Sequence, residues 1–173
     1  MKKYELIQSD TKQHFGHTLY RIRALVAIGG TVSVGDLGGY VESEKCLSHK
    51  GDAWVYGNAL VHDNARVYGN ARVYGNARVC GNARVFGDAS VYGNARVCGD
   101  DCIAWFSEVG SEKGTLTVCK SESGLFVSRG CFSGTDVEFI AAVEGRHSGT
   151  RIETEYKLLI QVARSRILGG EKQ

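Results

Sequence analysis

One stretch of the chain leaves few folds open to it. From Val55 the sequence runs VYGNAL, VHDNAR, VYGNAR, VYGNAR, VCGNAR, VFGDAS, VYGNAR and VCGDDC. Val opens eight successive hexads: Val55, Val61, Val67, Val73, Val79, Val85, Val91 and Val97. Ala holds the fifth position from Ala53 to Ala95; Gly, or once Asp63, holds the third, and Asn or Asp the fourth. The register extends more loosely back to Leu37 and Val41 and forward to Ile103. A unit this short cannot bury its apolar face alone, so it must stack on copies of itself.

Each hexad reads as a short strand and a corner. In Ala-Arg-Val-Tyr the side chains alternate, with Ala and Val inward and Arg and the aromatic outward. Gly-Asn then turns the chain, because both residues tolerate a positive φ. Eight of the 23 Gly lie in 51–102, and the chain has no Pro. Internal coils that need every backbone N–H for the ladder fit that absence.

The period resembles the hexapeptide repeat of left-handed β-helices, in which three hexads make one triangular coil of eighteen residues. The resemblance implies a mainly β fold with about four coils over 37–104, left-handed, and association of copies as a trimer ahead of a dimer. In one respect the chain departs from hexapeptide acyltransferases. Their Gly usually follows the aliphatic residue directly, whereas here it comes one place later, as in Val-Tyr-Gly-Asn.

An eighteen-residue coil would stack side chains in columns about 4.8 Å apart. One face is expected to carry Tyr56, Tyr74 and Tyr92 beside Leu60, Arg78 and Arg96. A second would carry His62, Cys80 and Cys98 with Arg66, Arg84 and Cys102, and a third Tyr68 and Phe86 with Arg72 and Ser90. Asn58, Asn76 and Asn94 form a corner column suited to amide ladders. The Tyr/Arg face reads either as a platform for bases and phosphates or as ladders that stabilise the sheet. A column with that spacing cannot gather His62, Cys80, Cys98 and Cys102 around one ion at about 2.3 Å, so no metal and no cofactor is expected. The six Cys show no CxxC spacing and read as reduced thiols.

The flanks read as caps. Residues 1–36 form an N-terminal β cap with strands near Tyr4–Gln8 and Thr18–Ile28, and His14 and His17 lie in a polar loop. Trp105 and Phe106 suit the covering of the last coil. Residues 105–173 form a ββαα unit, with strands over Thr115–Lys120 and Leu125–Arg129. Its helices open at the capping-box pairs Thr135/Glu138 and Thr150/Glu153. The second helix aligns Ile152, Tyr156, Leu159, Ile160, Ala163 and Ile167 on one face and stops at Gly169-Gly170.

Both flanks, LYRIRAL…GDLGGYVES and SRGCFSGTDVEF…H…EY, resemble segments around hexapeptide repeats in small phage and prophage proteins, mostly without an assigned function. Arg129, Cys131, Phe132, Thr135, Phe139, His147 and Tyr156 carry the C-terminal likeness. Phe139 and Tyr156 read as core; Arg129 and His147, being polar, are candidate ligand-binding residues.

The charge, 21 basic against 19 acidic residues, is evenly spread and points to no bulk nucleic-acid partner. No apolar run is long enough to span a membrane and the N-terminus lacks a signal core, so a cytoplasmic location is expected. There is no P-loop, no GxGxxG and no carboxylate pair at interpretable spacing. Acyl transfer needs a general base, and His62 is the only His in the repeats. The preferred expectation is therefore a non-catalytic phage-type binding protein, a host-defence antagonist that sequesters a nucleotide-like signal or grips a host protein. Tyr56, Tyr74, Tyr92, Arg78, Arg96, Arg129 and His147 are its candidate ligand-binding residues. The alternatives are a hexapeptide acyltransferase and a structural, self-assembling virion or scaffold protein.

Overall fold

The computed structural model describes residues 1–122 and 124–169. Among these the chain is mainly β, with two C-terminal helices. β1 (Tyr4–His14) and β2 (His17–Ala24) form an antiparallel hairpin. Its two central residues, Phe15 and Gly16, both have positive φ (45° and 86°), the twist that suits a two-residue hairpin turn. β3 (Leu37–Val41) pairs antiparallel with β2 on one side.

Eight two-residue strands follow, one per hexad. They are β4 (Trp54–Val55), β5 (Leu60–Val61), β6 (Arg66–Val67), β7 (Arg72–Val73), β8 (Arg78–Val79), β9 (Arg84–Val85), β10 (Ser90–Val91) and β11 (Arg96–Val97). Pairing is parallel; β3 pairs with β5 across β4 alone, and every later pair skips two strands, giving sheets in the orders β3-β5-β8-β11, β4-β7-β10 and β6-β9. The register Leu60↔Arg78↔Arg96 sets the rung repeat at eighteen residues. The result is a three-faced β-solenoid. The longest face has four rungs joined by three turns. The loose register from Leu37 to Trp54 supplies one wide first coil, and the ladder ends at a 3-10 turn, Asp100–Cys102.

The interior is built of small aliphatic side chains. Every repeat Val from Val55 to Val97 and every Ala from Ala53 to Ala95 is buried. At the corners Gly75 has φ +65°, and a Cβ there would stand 3.3 Å from the Gly93 nitrogen of the next rung. Gly39 serves a different need: a Cβ would meet the Ala59 carbonyl at 2.6 Å, so only Gly lets the first rung approach the second.

The hairpin caps the solenoid by pairing. β2 takes the backbone edge of β3 that would otherwise be open, which hides an aggregation-prone edge. At the other end lie β12 (Ile103–Val109), β13 (Gly114–Ser121), β14 (Gly124–Arg129) and β15 (Phe132–Thr135), an antiparallel meander. Ile103 and Cys119 join the solenoid core, and Trp105 packs edge-on against Phe86 at 4.5 Å. β10, the last rung of its face, is met by side chains: the Ser90 N–H donates to Thr117 Oγ1 (3.1 Å) and Ser128 Oγ donates to the Ser90 carbonyl (2.8 Å). Helices α1 (Asp136–His147) and α2 (Arg151–Leu168) cover the meander and bury Phe139, Val143, Tyr156, Ile160, Ala163 and Ile167.

Several expectations need correction. The C-terminal unit is ββββαα, not ββαα. Ile103–Val109 is a strand that continues from the solenoid exit, and Phe132–Thr135 is too short to show a period. The strands of the hairpin are Tyr4–His14 and His17–Ala24, so His14 and His17 flank its turn and are not in a loop. Cys80 and Cys98 form a disulfide, where reduced thiols were expected: the eighteen-residue register brings their Cα atoms to 4.4 Å. The capping box at Thr135/Glu138 forms as expected, and Thr150 accepts from the Glu153 N–H. The predicted helix stop includes Gly170, which lies outside the described residues.

Candidate functional site

The strand alternation decides which side chains share a face. Residues two apart on one strand point the same way. Tyr56, Tyr74 and Tyr92 therefore stand beside Trp54, Arg72 and Ser90, on the sheet β4-β7-β10. Arg78 and Arg96 lie beyond the Gly-Asn corner, on the face of Leu60, His62, Cys80 and Cys98. Arg66 and Arg84 share the third face with Tyr68 and Phe86, which stack at 5.0 Å. The expected columns are present, but the expected pairing of columns carried each aromatic across a corner to the wrong Arg.

The Tyr column is a stack of coins. Tyr56 and Tyr74 lie 4.3 Å apart with planes 6° from parallel, and Tyr74 and Tyr92 4.3 Å apart at 9°. Tyr56 also contacts Thr31 Oγ1 through its hydroxyl at 3.2 Å. Burial raises the proton affinity of the Tyr56 and Tyr74 phenols. A base cannot lie flat on the whole column, because each inner ring face is covered by the next ring. Tyr92 keeps the face turned away from Tyr74, and no other ring stacks on it among the described residues.

That end of the column opens into a groove between the solenoid and the C-terminal sheet. Its volume is about 350 Å³, and its walls are Asn70, Arg72, Asp88, Ser90 and Tyr92 on one side and Gly114, Thr115, Ser128, Arg129 and Gly130 on the other. Burial pulls the Arg72 guanidinium down, but the phenols of Tyr74, Tyr56 and Tyr92 outweigh it and hold the charge more firmly than usual. Arg129 is fixed by two bonds, Nε to the Tyr156 hydroxyl (3.0 Å) and Nη2 to the Val109 carbonyl (2.9 Å). Its Nη1 lies over Gly114, another lining residue. The Asn70 amide donates to Asp88 Oδ1 at 3.0 Å, so that carboxylate stands in the groove wall beside Arg72. The groove thus brings together two guanidiniums, one open aromatic face and the hydroxyls of Ser90, Thr115 and Ser128.

The remaining candidates lie elsewhere. Arg78 and Arg96 line a separate depression of about 330 Å³ with Lys12, Leu60, Glu122 and the corner column Asn58, Asn76 and Asn94. Arg96 is ion-paired with Glu122 there. His147 lines a cleft of about 340 Å³ between α1 and the β14–β15 turn, with Cys131, Phe132, Arg146 and the far side of Arg129. The His147 carbonyl also accepts the Thr150 hydroxyl at 2.7 Å, so it anchors the start of α2. Of the seven candidates, Tyr92 and Arg129 meet in the groove. Tyr56 and Tyr74 support Tyr92 from behind, and Arg78, Arg96 and His147 are not part of it. Arg72 was missed as a partner of the Tyr column, although its place two residues before Tyr74 on one strand was sufficient to find it. Thr115 and Ser128 had no sequence signal, since a three-dimensional junction places them.

A family model described as YdcK Beta solenoid repeat matches residues 65–80 and 77–92. The two matches are offset by twelve residues, two hexads, and both fall within the stacked strands β6 to β10. No curated protein matches the chain. Among the described residues no helix is long and apolar enough to cross a membrane.

Proposed function

We propose that the chain is a non-catalytic binding protein and that the groove between solenoid and C-terminal sheet holds a phosphorylated, base-containing small ligand. The observation that carries this is the placement of Arg72 and Arg129 on opposite walls of a groove that also contains the open face of Tyr92. Guanidiniums pair with phosphate through charge-assisted, often bidentate hydrogen bonds, and a base stacks on an aromatic face. The volume lies at the lower end of the range for small-molecule sites. The phage-like flanks extend the reading to removal of a nucleotide signal used in host defence. Exposed Val34 and Leu37 favour association into homotrimers or dimers, which light scattering of the purified protein measures directly.

Native mass spectrometry and calorimetry against mono-, di- and cyclic nucleotides test the groove. One class should bind, and Tyr92→Ala should weaken it by about five- to 150-fold, the loss of one stacking contact at roughly 1–3 kcal/mol. Arg72→Ala should weaken it independently while leaving circular dichroism unchanged. Binding by no nucleotide, or binding untouched by both variants, would overturn the proposal.

A further inference from the structure

The hairpin tip and one hexad meet where the repeat breaks its own rule. Position three of the hexad is Gly in seven of the eight units and Asp63 in the other. Asp63 keeps the left-handed backbone of those glycines, with φ +60°. Its carboxylate stands between two imidazoles: Oδ1 is 3.2 Å from His17 Nε2, and Oδ2 is 3.1 Å from His62 Nδ1. One donor atom from each of the three residues lies within 4.8 Å of the other two. Around a tetrahedral ion with bonds of about 2.0–2.1 Å, neighbouring donors are separated by roughly 3.3 Å. Each imidazole faces its own carboxylate oxygen at close to that spacing, and one donor set drawn from the three residues falls within the 4.8 Å limit.

A second observation points to an ion. His62 is buried, 6% exposed, and its Nδ1 makes no well-directed hydrogen bond, its nearest polar neighbour being Asp63 Oδ2 at 3.1 Å. A buried polar atom without a partner is costly and calls for one. Around this centre the other groups are already oriented. Glu42 Oε1 takes His17 Nδ1 at 3.0 Å, which turns Nε2 towards Asp63. Glu42 Oε2 accepts the Asp63 N–H at 2.6 Å, and Asp63 Oδ2 accepts the Gly81 N–H at 2.9 Å. A carboxylate behind a histidine is the usual outer support of a metal ligand.

We propose that His17, His62 and Asp63 bind a divalent transition-metal ion of the zinc class, with Glu42 as the positioning residue behind His17. Two imidazoles and one carboxylate favour such an ion over magnesium or calcium, which take oxygen donors. Uptake displaces any proton on His17 Nε2, while Nδ1–H remains on Glu42. Three protein donors leave one position of a tetrahedral ion for water or a further ligand. The ion would tie the hairpin to the second rung of the longest face.

Untagged protein, stripped with a chelator, is titrated with Zn²⁺ by calorimetry and by competition with a chromophoric chelator, and with Co²⁺ by visible absorption. The expected result is one ion per chain. His17→Gln and Asp63→Gly should each weaken it at least 100-fold, and Glu42→Gln by about 10- to 100-fold. Asp63→Gly installs the residue of the other seven hexads, so it should keep the fold, which circular dichroism checks. No saturable uptake by the wild-type chain would overturn the proposal and leave His17 as a hydrogen-bonded link between two carboxylates. Uptake unchanged in either His17→Gln or Asp63→Gly would overturn it too, by placing the ion elsewhere.

Discussion

Val79→Ala puts the stacked valine row to a quantitative test. Val79 is fully buried on β8, and its strand is flanked by Val61 on one side and Val97 on the other. Removing two methyl groups forfeits about 1.6 kcal/mol at roughly 0.8 kcal/mol per buried carbon. The space left behind adds about 1 kcal/mol, because neighbours held in a regular ladder relax little. The total of about 2.6 kcal/mol is a large part of the roughly 5–15 kcal/mol that stabilises a domain. With a urea dependence of about 2 kcal/mol per molar, the unfolding midpoint should fall by about 1.3 M. Arg66→Ala is the control: its side chain is exposed on the neighbouring face and should move the midpoint by less than about 0.3 M. Equal shifts for the two variants, followed by circular dichroism, would refute the claim that the Val row carries the stack.

The double variant Arg78→Ala/Arg96→Ala should keep the fold and bind a groove ligand within about twofold of wild type by calorimetry, because both side chains lie around the corner from Tyr92. Arg84 holds the Asp100 carboxyl below its ordinary range through hydrogen bonds to its side chain and N–H. That contribution is complete above the unfolded value near 3.8 and is lost as pH falls through the lower folded value. Thermal melts should therefore show a steeper fall below pH 4 in the wild type than in Asp100→Asn, and parallel curves would count against the pair. Cys98→Ser should cost about 2–4 kcal/mol in urea unfolding, since the bridge closes an eighteen-residue loop. An unchanged midpoint would mean that the stack alone fixes those two rungs.

The interior is legible in the repeat itself. Val at position one and Ala at position five admit only a thin, stacked core, and all of them are buried. The columns were also legible from the eighteen-residue coil, down to the Tyr ladder. The error lay in which columns are neighbours: Tyr56 and Leu60 are close in sequence but lie on either side of a corner, whereas Tyr74 and Arg72 share a strand. The groove could not be read in this way. It exists because Thr117 and Ser128 bond to Ser90 across long sequence separations, and no local pattern encodes that docking. The histidines illustrate the same limit. His17 looks solvated in its own segment and acquires meaning only when the hairpin folds back beside Asp63.

The Cys80–Cys98 bridge has a topological consequence. A stack of like rungs holds each member only through its immediate neighbours, so such an array opens from its ends, one rung at a time. The bridge joins two residues one full turn apart and converts the last turn of its face into a covalent ring. Peeling from the C-terminal side therefore cannot part β11 from β8 by breaking backbone hydrogen bonds alone. The other end carries no such bridge and is held by the β1–β2 hairpin, where His17 rests against Asp63. The solenoid is thus stitched covalently near one end and clasped by non-covalent contacts at the other.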